Sequence, residues 1–423
     1  MPHDRLGNEY AADVPYARGA ILREAADDLV KLSTAQTHMR ARRAAGAPIY
    51  QLSGLERRLD ARAEDIPLMD DEFASAFHEP QLREVSLAHL GGNPREHDII
   101  VTNRLTAALL VAADVMVRPG ANVLGVSPRY SHPAVFRAVA HARGRFEDCI
   151  GLAGLRAALD RHEQVDVVFI TRLAVSYEIL DARELAQIVT LVKERGAATI
   201  VDDAGGARVG PAIFDQPKTL ELGVDVGATG LDKYGTTGPR VGLLGGRRAL
   251  LERMRTRAFE MGLEARQMLY PAVIRSIAGY TPERVRERVA ATQAVAQALK
   301  KRISANRLFE TPVTVQIRAE DVLELAMERA GVSRAAIVPY EATAALAMLL
   351  LRDHGVMSVH FAGIPPGTAA LMVKFLPPET LAAMGGPERF ADAIDRSLDT
   401  LATMVQDPLA VKSLLLGAAA GAH

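Results

Sequence analysis

The stretch 165–206, VDVVFITRLAVSYEILDARELAQIVTLVKERGAATIVDDAGG, decides how the chain folds. It opens on a short run with an unbroken apolar centre, VDVVFIT (165–171, with VVFI at 167–170), and closes on a second short β-rich run, AATIVDDA (197–204). Between them ARELAQIVTLVKERG (182–196) spaces its apolar residues three and four apart and stops at Gly196, as an amphipathic helix does. A strand that is apolar on both faces cannot lie against water. Strand, helix and strand in this order therefore predict parallel strands with helices packed on both sides.

The same alternation continues outward. Upstream, DIIVTN (98–103) reads as a strand and LTAALLVAADVMV (105–117) as a helix. NVLGVSP (122–128) is a strand and PAVFRAVAHAR (133–143) a helix. Downstream, VDVGATGL (224–231) and VGLLGG (241–246) are strands, followed by the helical RRALLERMRTRAF (247–259). The fold class is α/β: a three-layer large domain with a mostly parallel sheet over 85–280, and a smaller α+β domain over 281–423. In the latter, TPERVRERVAATQAVAQALKKRI (281–303), EDVLELAMERAG (320–331) and YEATAALAMLLLRDHG (340–355) are helical. VMSVHFAG (356–363) and ALMVKFLP (370–377) are extended, and GPERFADAIDRSLDTLATMV (386–405) is a closing helix. Residues 1–84 form an N-terminal helical segment. PIYQLSG (48–54) is an extended piece within it, and DDEFASAFHEPQLREVSLAHLGG (70–92) is a helix capped by Asp70 or Asp71.

Composition narrows the function. The 423 residues include 50 basic and 51 acidic ones, for a net charge of −1. That balance argues against a nucleic-acid or anionic-membrane partner. The basic MRARRAAG (39–46) reads as a solvated helix face. The single cysteine, Cys149, excludes a disulfide framework and reads as a small buried residue. No apolar run reaches the roughly 18 residues of a membrane span, the tail SLLLGAAAGAH (413–423) included. The polar N-terminus is unlike a secretory signal, so a cytoplasmic protein is expected.

Sites of α/β sheets form at the carboxyl ends of strands. There the chain places Thr102, Asn103, Arg104 and Thr106, then Tyr130 and His132, then Arg172 and Ser176. Asp202 and Asp203 follow, then Asp232 and Lys233. Each has a plain reading: Asp202 and Asp203 as a turn or a metal-binding pair, His132 as a helix-start residue before Pro133, Lys233 as a solvated loop lysine. Together they form a coherent set. A lysine whose neutral form is favoured by desolvation or nearby cations becomes a nucleophile toward an aldehyde. Pyridoxal 5′-phosphate (PLP) is the common aldehyde cofactor. It needs a carboxylate at its pyridine nitrogen, a ring partner on its face, and backbone N–H groups with a hydroxyl at a helix start for its phosphate.

ATIVDDAGGARVG (198–210) and TGLDKYGTTGPRVGLLGG (229–246) resemble the two signature segments of fold-type I PLP-dependent enzymes, the aspartate aminotransferase superfamily. The resemblance implies that Asp202 pairs with the pyridine nitrogen and that Ala204 lies under the ring. It implies that Lys233 bonds the cofactor aldehyde. SHPAV (131–135) resembles the segment whose histidine, here His132, stacks on the ring. TNRLTAAL (102–109) resembles the phosphate turn, with Arg104, Leu105 and Thr106 on it. Ser176 stands near the expected place of the cofactor's phenolic oxygen.

Within the superfamily, GLDKYGTTGPRVG (230–242), with Asp232 before the lysine, and VSYEILDARELAQIV (175–189) are similar to the selenocysteine synthase-like branch. YQLSGLERRL (50–59) also resembles that branch, faintly. This implies a PLP-dependent amino-acid lyase or transferase, with elimination or replacement at the β- or γ-carbon placed first. An aminotransferase, or a non-catalytic scaffold of the same fold, are the alternatives. Arg240, Arg172, Tyr130 and Lys374 are the candidate substrate contacts, a free amino acid is the expected substrate, and no metal is expected. A homodimer or higher homo-oligomer is implied. Three departures stand out: Gly205 replaces a frequent histidine, Arg104 a glycine, and Lys374 a late-strand arginine.

Overall fold

The computed structural model describes residues 2–11, 13–361 and 367–417. Contacts gather the chain into two compact units, Glu56–Arg286 and a unit built from Met1–Leu55 with Glu287–His423. The sequence reading divides the chain at 84/85 and 280/281, whereas contacts divide it at 55/56 and 286/287.

In the unit Glu56–Arg286, a 3-10 turn, Ala63–Leu68, precedes helix α1 (Asp71–Leu90). Its Asp70 cap accepts from the Glu72 and Phe73 amides, and left-handed Gly91 ends it. Seven strands follow: β1 (His97–Thr102), β2 (Asn122–Ser127), β3 (Arg145–Ile150), β4 (Val167–Thr171), β5 (Ala198–Asp202), β6 (Val226–Gly230) and β7 (Gly242–Arg247). They form one sheet in the order β1-β7-β6-β5-β4-β2-β3. β7 runs antiparallel to both its neighbours, and every other pairing is parallel. Helices α2 (Leu105–Met116), α3 (Pro133–His141), α4 (Gly151–Arg161), α5 (Ala182–Glu194) and α6 (Gly206–Ile213) connect the parallel strands.

Side chains alternate across a strand, and the apolar runs therefore feed two cores. Val167 and Phe169 of β4 pack with Ala108 and Val111 of α2 and Ala134 and Ala138 of α3. Val168 and Ile170 face the other way, onto Leu155 and Leu159 of α4 and Leu185, Ile188 and Val192 of α5. This is the three-layer arrangement expected from the sequence. It fixes the site, because Ser127, Thr171 and Asp202 end β2, β4 and β5 in register, on the face that carries α2 and α3.

The other unit has a three-stranded antiparallel sheet with Thr314–Ile317 between Phe309–Thr311 and Leu371–Lys374. Tyr50–Gln51 pairs in parallel with Val356–Met357. The extended piece expected at 356–363 is thus a two-residue strand followed by a 3-10 turn, Val359–Phe361, and its last residues lie outside the described ones. Most of the expected tail also lies outside them. The N-terminal residues are built into this unit. Glu341 accepts from the Ile21 and Leu22 amides at 2.6 and 2.9 Å. Asp28 and Lys31, on the helix Ala25–Ala44, form a buried pair at 2.7 Å that Tyr340 caps. Among the described residues no helix is long and apolar enough to cross a membrane.

Candidate active site at the carboxyl edge of the sheet

The turn after β6 carries Lys233. Its backbone is held by Thr236, whose Oγ1 donates to the Lys233 carbonyl at 2.8 Å. The side chain folds back over Gly230. A Cβ placed on Gly230 would lie 3.6 Å from Lys233 Cε, 3.1 Å from Asp232 Oδ1 and 3.8 Å from Leu105 Cβ. Lysine, aspartate and the first turn of α2 therefore converge above one glycine, and a larger residue there would crowd all three. No described residue hydrogen-bonds Lys233 Nζ. Burial pushes the amine down from its ordinary range, and Arg208 and Arg57 add to this, against the pull of Asp232 and Asp202. That is the direction a nucleophilic amine requires.

Asp202 ends β5 and is 2% exposed. Its Oδ1 is buried with no hydrogen-bond partner. Burial raises its carboxyl to about 6, with Lys233 pulling down and Asp203 pushing up. A buried acceptor with no donor is costly and uncommon. In register beside it, Ser127 Oγ and Thr171 Oγ1 are also buried and unpartnered. A row of unmet polar atoms thus lines the α2/α3 face of the sheet edge.

His132 is the N-cap of α3, and its Nδ1 accepts from the Ala134 amide at 3.0 Å. That bond puts the ring proton on Nε2. Burial, then the charges of Lys233 and Arg137, hold the imidazole down at about 3, so the ring is neutral at physiological pH. Its position is set by Ser131, whose amide and hydroxyl both donate to Asp148 of β3, at 2.8 and 2.7 Å. Gly125 makes room for this: a Cβ there would lie 2.6 Å from Asp148 Oδ1 and 2.8 Å from Ser131 Oγ.

The start of α2 supplies backbone donors. Arg104 is its N-cap in extended conformation, and its side chain makes no cap bond. The first N–H groups of a helix have no intrahelical acceptor, and Leu105 and Thr106 are in this first turn. Thr102 Oγ1 donates to the Arg104 carbonyl at 2.9 Å and fixes the turn leading into it. Ala204 follows Asp202, and its carbonyl accepts from Arg208 at 2.9 Å. Ser176 is half-buried in the tight turn after β4, where the Tyr177 amide donates to the Ala174 carbonyl at 2.9 Å. Tyr130 is half-buried just before Ser131.

The glycine at 205 and the arginine at 172 each have a structural reason. A Cβ on Gly205 would lie 2.3 Å from the Tyr234 ring, so that tyrosine occupies the space a histidine would need. Tyr234 has φ +48 and is hydrogen-bonded to Tyr177. Arg172, offered by the sequence as a carboxylate clamp, is not one. Its side chain is wholly buried, donating to Asp203 at 2.8 Å and to the Pro217 carbonyl at 2.8 Å. Reaching a ligand would leave Asp203 unpaired. Lys374 belongs to the other unit, in its antiparallel sheet, and is 5% exposed. Among the described residues no group of three or more His, Cys, Asp or Glu could hold a metal.

Two residues were not singled out in the sequence. Arg208, on α6, is buried and donates to the carbonyls of Ala204 and Gly230, the latter at 2.7 Å. It ties the aspartate segment to the lysine segment. Arg57 donates through Nε to Asp232 Oδ2 at 2.7 Å. Its backbone runs beside the lysine loop: the Glu56 amide bonds the Asp232 carbonyl and the Arg58 amide the Thr237 carbonyl, each at 3.0 Å. The only sequence signal was the basic pair in YQLSGLERRL, the stretch that faintly resembles the selenocysteine synthase-like branch.

The strand order, the antiparallel β7 and the site at the carboxyl edge can be compared with solved structures. An aspartate aminotransferase from Thermotoga maritima aligns over 88% of this chain and 96% of its own, with TM-score 0.55 and 16% identity. The chain has the aspartate aminotransferase fold. A kynurenine aminotransferase from Pyrococcus horikoshii, solved with PMP, aligns over 86% of this chain and 95% of its own, with TM-score 0.54 and 16% identity. Among curated proteins, a "UPF0425 pyridoxal phosphate-dependent protein" of Methanothermobacter thermautotrophicus is 28% identical over 334 residues, 76% of this chain and 80% of that protein. One of the same description from Methanosphaera stadtmanae is 25% identical over 318 residues, 75% of this chain and 80% of its own length. No protein-family model matches the chain.

Proposed function

We propose that the protein is a PLP-dependent enzyme acting on a free amino acid, as a lyase that eliminates or replaces a group at the β- or γ-carbon. The observation that carries the cofactor is the buried, partnerless Oδ1 of Asp202 at the same sheet edge as a lysine whose amine is driven toward neutrality. A protonated pyridine nitrogen is the donor that Oδ1 lacks. The residues present therefore fit the group, and the two similar curated proteins carry its name.

When bound, PLP supplies an aldehyde and an electron-withdrawing ring that labilises bonds at the substrate α-carbon. Lys233 would hold the aldehyde, and its amine, driven toward neutrality, would be the group to move a proton at the substrate α-carbon. Asp202 keeps the ring nitrogen protonated, and that ion pair is stronger for being buried. His132 offers a neutral ring face. The Leu105 and Thr106 amides, the Thr106 hydroxyl and Arg104 would hold the phosphate at the start of α2. Ala204 would lie against the ring, Ser176 would serve the phenolic oxygen, and Asp232 would orient the lysine segment.

Elimination or replacement is preferred over transamination because the lysine segment, with Asp232 before the lysine, resembles that of the selenocysteine synthase-like branch. In addition, the residue at the late-strand arginine position is the buried Lys374. We place the enzyme as a cytoplasmic homo-oligomer. The test is an amino-acid panel with PLP-loaded protein. Release of ammonia and a keto acid with no keto acid added supports the lyase. Turnover only when an α-keto acid accepts the amino group replaces it with an aminotransferase. No PLP uptake by the wild-type protein ends both readings.

A further inference from the structure

We infer that Arg57 and Arg240 form the carboxylate-binding pair for the amino-acid substrate, with Asp232 holding them in place beside Lys233. The inference rests on the PLP reading above and names the substrate contacts that reading left open.

Both guanidinium Nε atoms converge on one oxygen, Asp232 Oδ2, Arg57 at 2.7 Å and Arg240 at 3.9 Å. Asp232 Oδ1 lies 3.1 Å from the point above Gly230 that is 3.6 Å from Lys233 Cε, so the lysine chain and the arginine pair flank the same carboxylate. In an α-amino acid the carboxylate carbon is about 2.5 Å from the amine nitrogen. An amine at the lysine's position keeps its carboxylate next to the lysine, and Asp232, on which both arginines converge, is the lysine's chain neighbour. A guanidinium presents several donors in a planar fork, so one that donates to Asp232 can also donate to a second carboxylate.

Electrostatics favour a further anion. Arg57, Arg104, Arg240 and Lys233 gather around Asp232 and Asp202. After burial, the charges of Arg57 and Arg104 hold Arg240 down at about 10. The cofactor phosphate takes up part of that excess at α2, and a substrate carboxylate takes up more. Neither guanidinium is buried like Arg172: the side chains of Arg57 and Arg240 are 26% and 37% exposed. Arg57 is also fixed in place, because residues 56 and 58 on either side bond the lysine loop.

Two reagents with the same reactive end separate the carboxylate from the chemistry. Aminooxyacetate and O-methylhydroxylamine both capture a PLP aldehyde through an aminooxy nitrogen, and only the first has a carboxylate. With PLP-loaded wild type, the visible band should disappear faster with aminooxyacetate, by about 10- to 100-fold, the range of a charge-assisted contact. The ratio of the two rates should collapse toward 1 in Arg57→Gln and fall in Arg240→Gln, and Arg57→Lys should restore part of it. Taking a ratio cancels any general change in cofactor exposure. Acetate should slow aminooxyacetate and not O-methylhydroxylamine in wild type, which tests the site even if a variant fails to fold.

An unchanged ratio in Arg57→Gln, or acetate slowing both reagents equally, overturns the assignment while leaving the PLP reading intact. A protein with no band and no reaction with either reagent overturns the PLP reading, and this inference falls with it.

Discussion

Replacing Asp202 by asparagine tests whether the strand-end carboxylate is held without a partner, and the effect can be worked out from its burial. In the cofactor-free protein the carboxyl is raised from 3.8 to about 6, chiefly by burial. The folded state therefore binds more protons than the unfolded chain between those values, and stability falls as pH rises through that window. The full difference corresponds to about 3 kcal/mol. It is absent below the unfolded value and complete above about 6. Asparagine removes the titration. It adds its own penalty, since an amide placed at the partnerless Oδ1 position leaves N–H groups to satisfy, but that penalty does not vary with pH. Each protein should therefore be compared with itself. Urea denaturation of the cofactor-free proteins at pH 4 and pH 7.5 should show wild type losing about 2 to 3 kcal/mol more than Asp202→Asn across the interval. Equal losses would refute the reasoning, because Asp202 would then be satisfied by a partner or water. With PLP bound, the wild-type loss should shrink, since a ring N–H gives the carboxylate its partner.

Four further outcomes follow from the same geometry. Arg172→Met strands Asp203 in the interior and should cost about 3–5 kcal/mol in denaturant titrations, and the double variant with Asp203→Leu should recover most of it. Gly205→His should destabilise the fold, because its Cβ meets the Tyr234 ring at 2.3 Å; adding Tyr234→Ala should relieve that loss, as melting temperatures will show. His132 should not titrate between pH 5 and 8 by NMR, being held at about 3, and His132→Ala should lose about 1 kcal/mol with its cap as well as PLP affinity. Lys31→Met removes one of the two cations paired with buried Asp28 in the other unit, leaving Arg18 at 2.9 Å, so it should lower the melting temperature without changing PLP uptake.

The sheet was legible where strands are buried on both faces. VVFI within VDVVFIT, IV within AATIVDDA and VLGV within NVLGVSP are apolar on both faces, and each stretch is a strand. β3 was not foreseen. RFEDCI is an edge strand with exposed ends, so its residues are not forced to be apolar, and it blends into the preceding helix. Phe309–Thr311 and Thr314–Ile317 were missed because a hairpin of three and four residues is too short for a period to register. The sequence placed Asp202, His132 and Lys233 after strand ends, and the structure has them there, at the end of β5, at the start of α3 and in the turn after β6. Arg172 misled because a basic residue at a strand end looks alike whether it faces a ligand or a buried aspartate. Arg57 was invisible for a different reason. It reaches the lysine loop across 175 positions of sequence, through backbone pairing that no local pattern encodes.

The central claim is that Lys233 is covalently joined to PLP. The measurement that bears on it most directly is reduction of the PLP-loaded protein with borohydride, then proteolysis and mass analysis of the peptide spanning 229–240. The account requires the visible band to bleach and the reduced cofactor to be carried on Lys233, with no labelled peptide in Lys233→Ala. A band that survives reduction, or a label on another lysine while Lys233 stays unmodified, would contradict it.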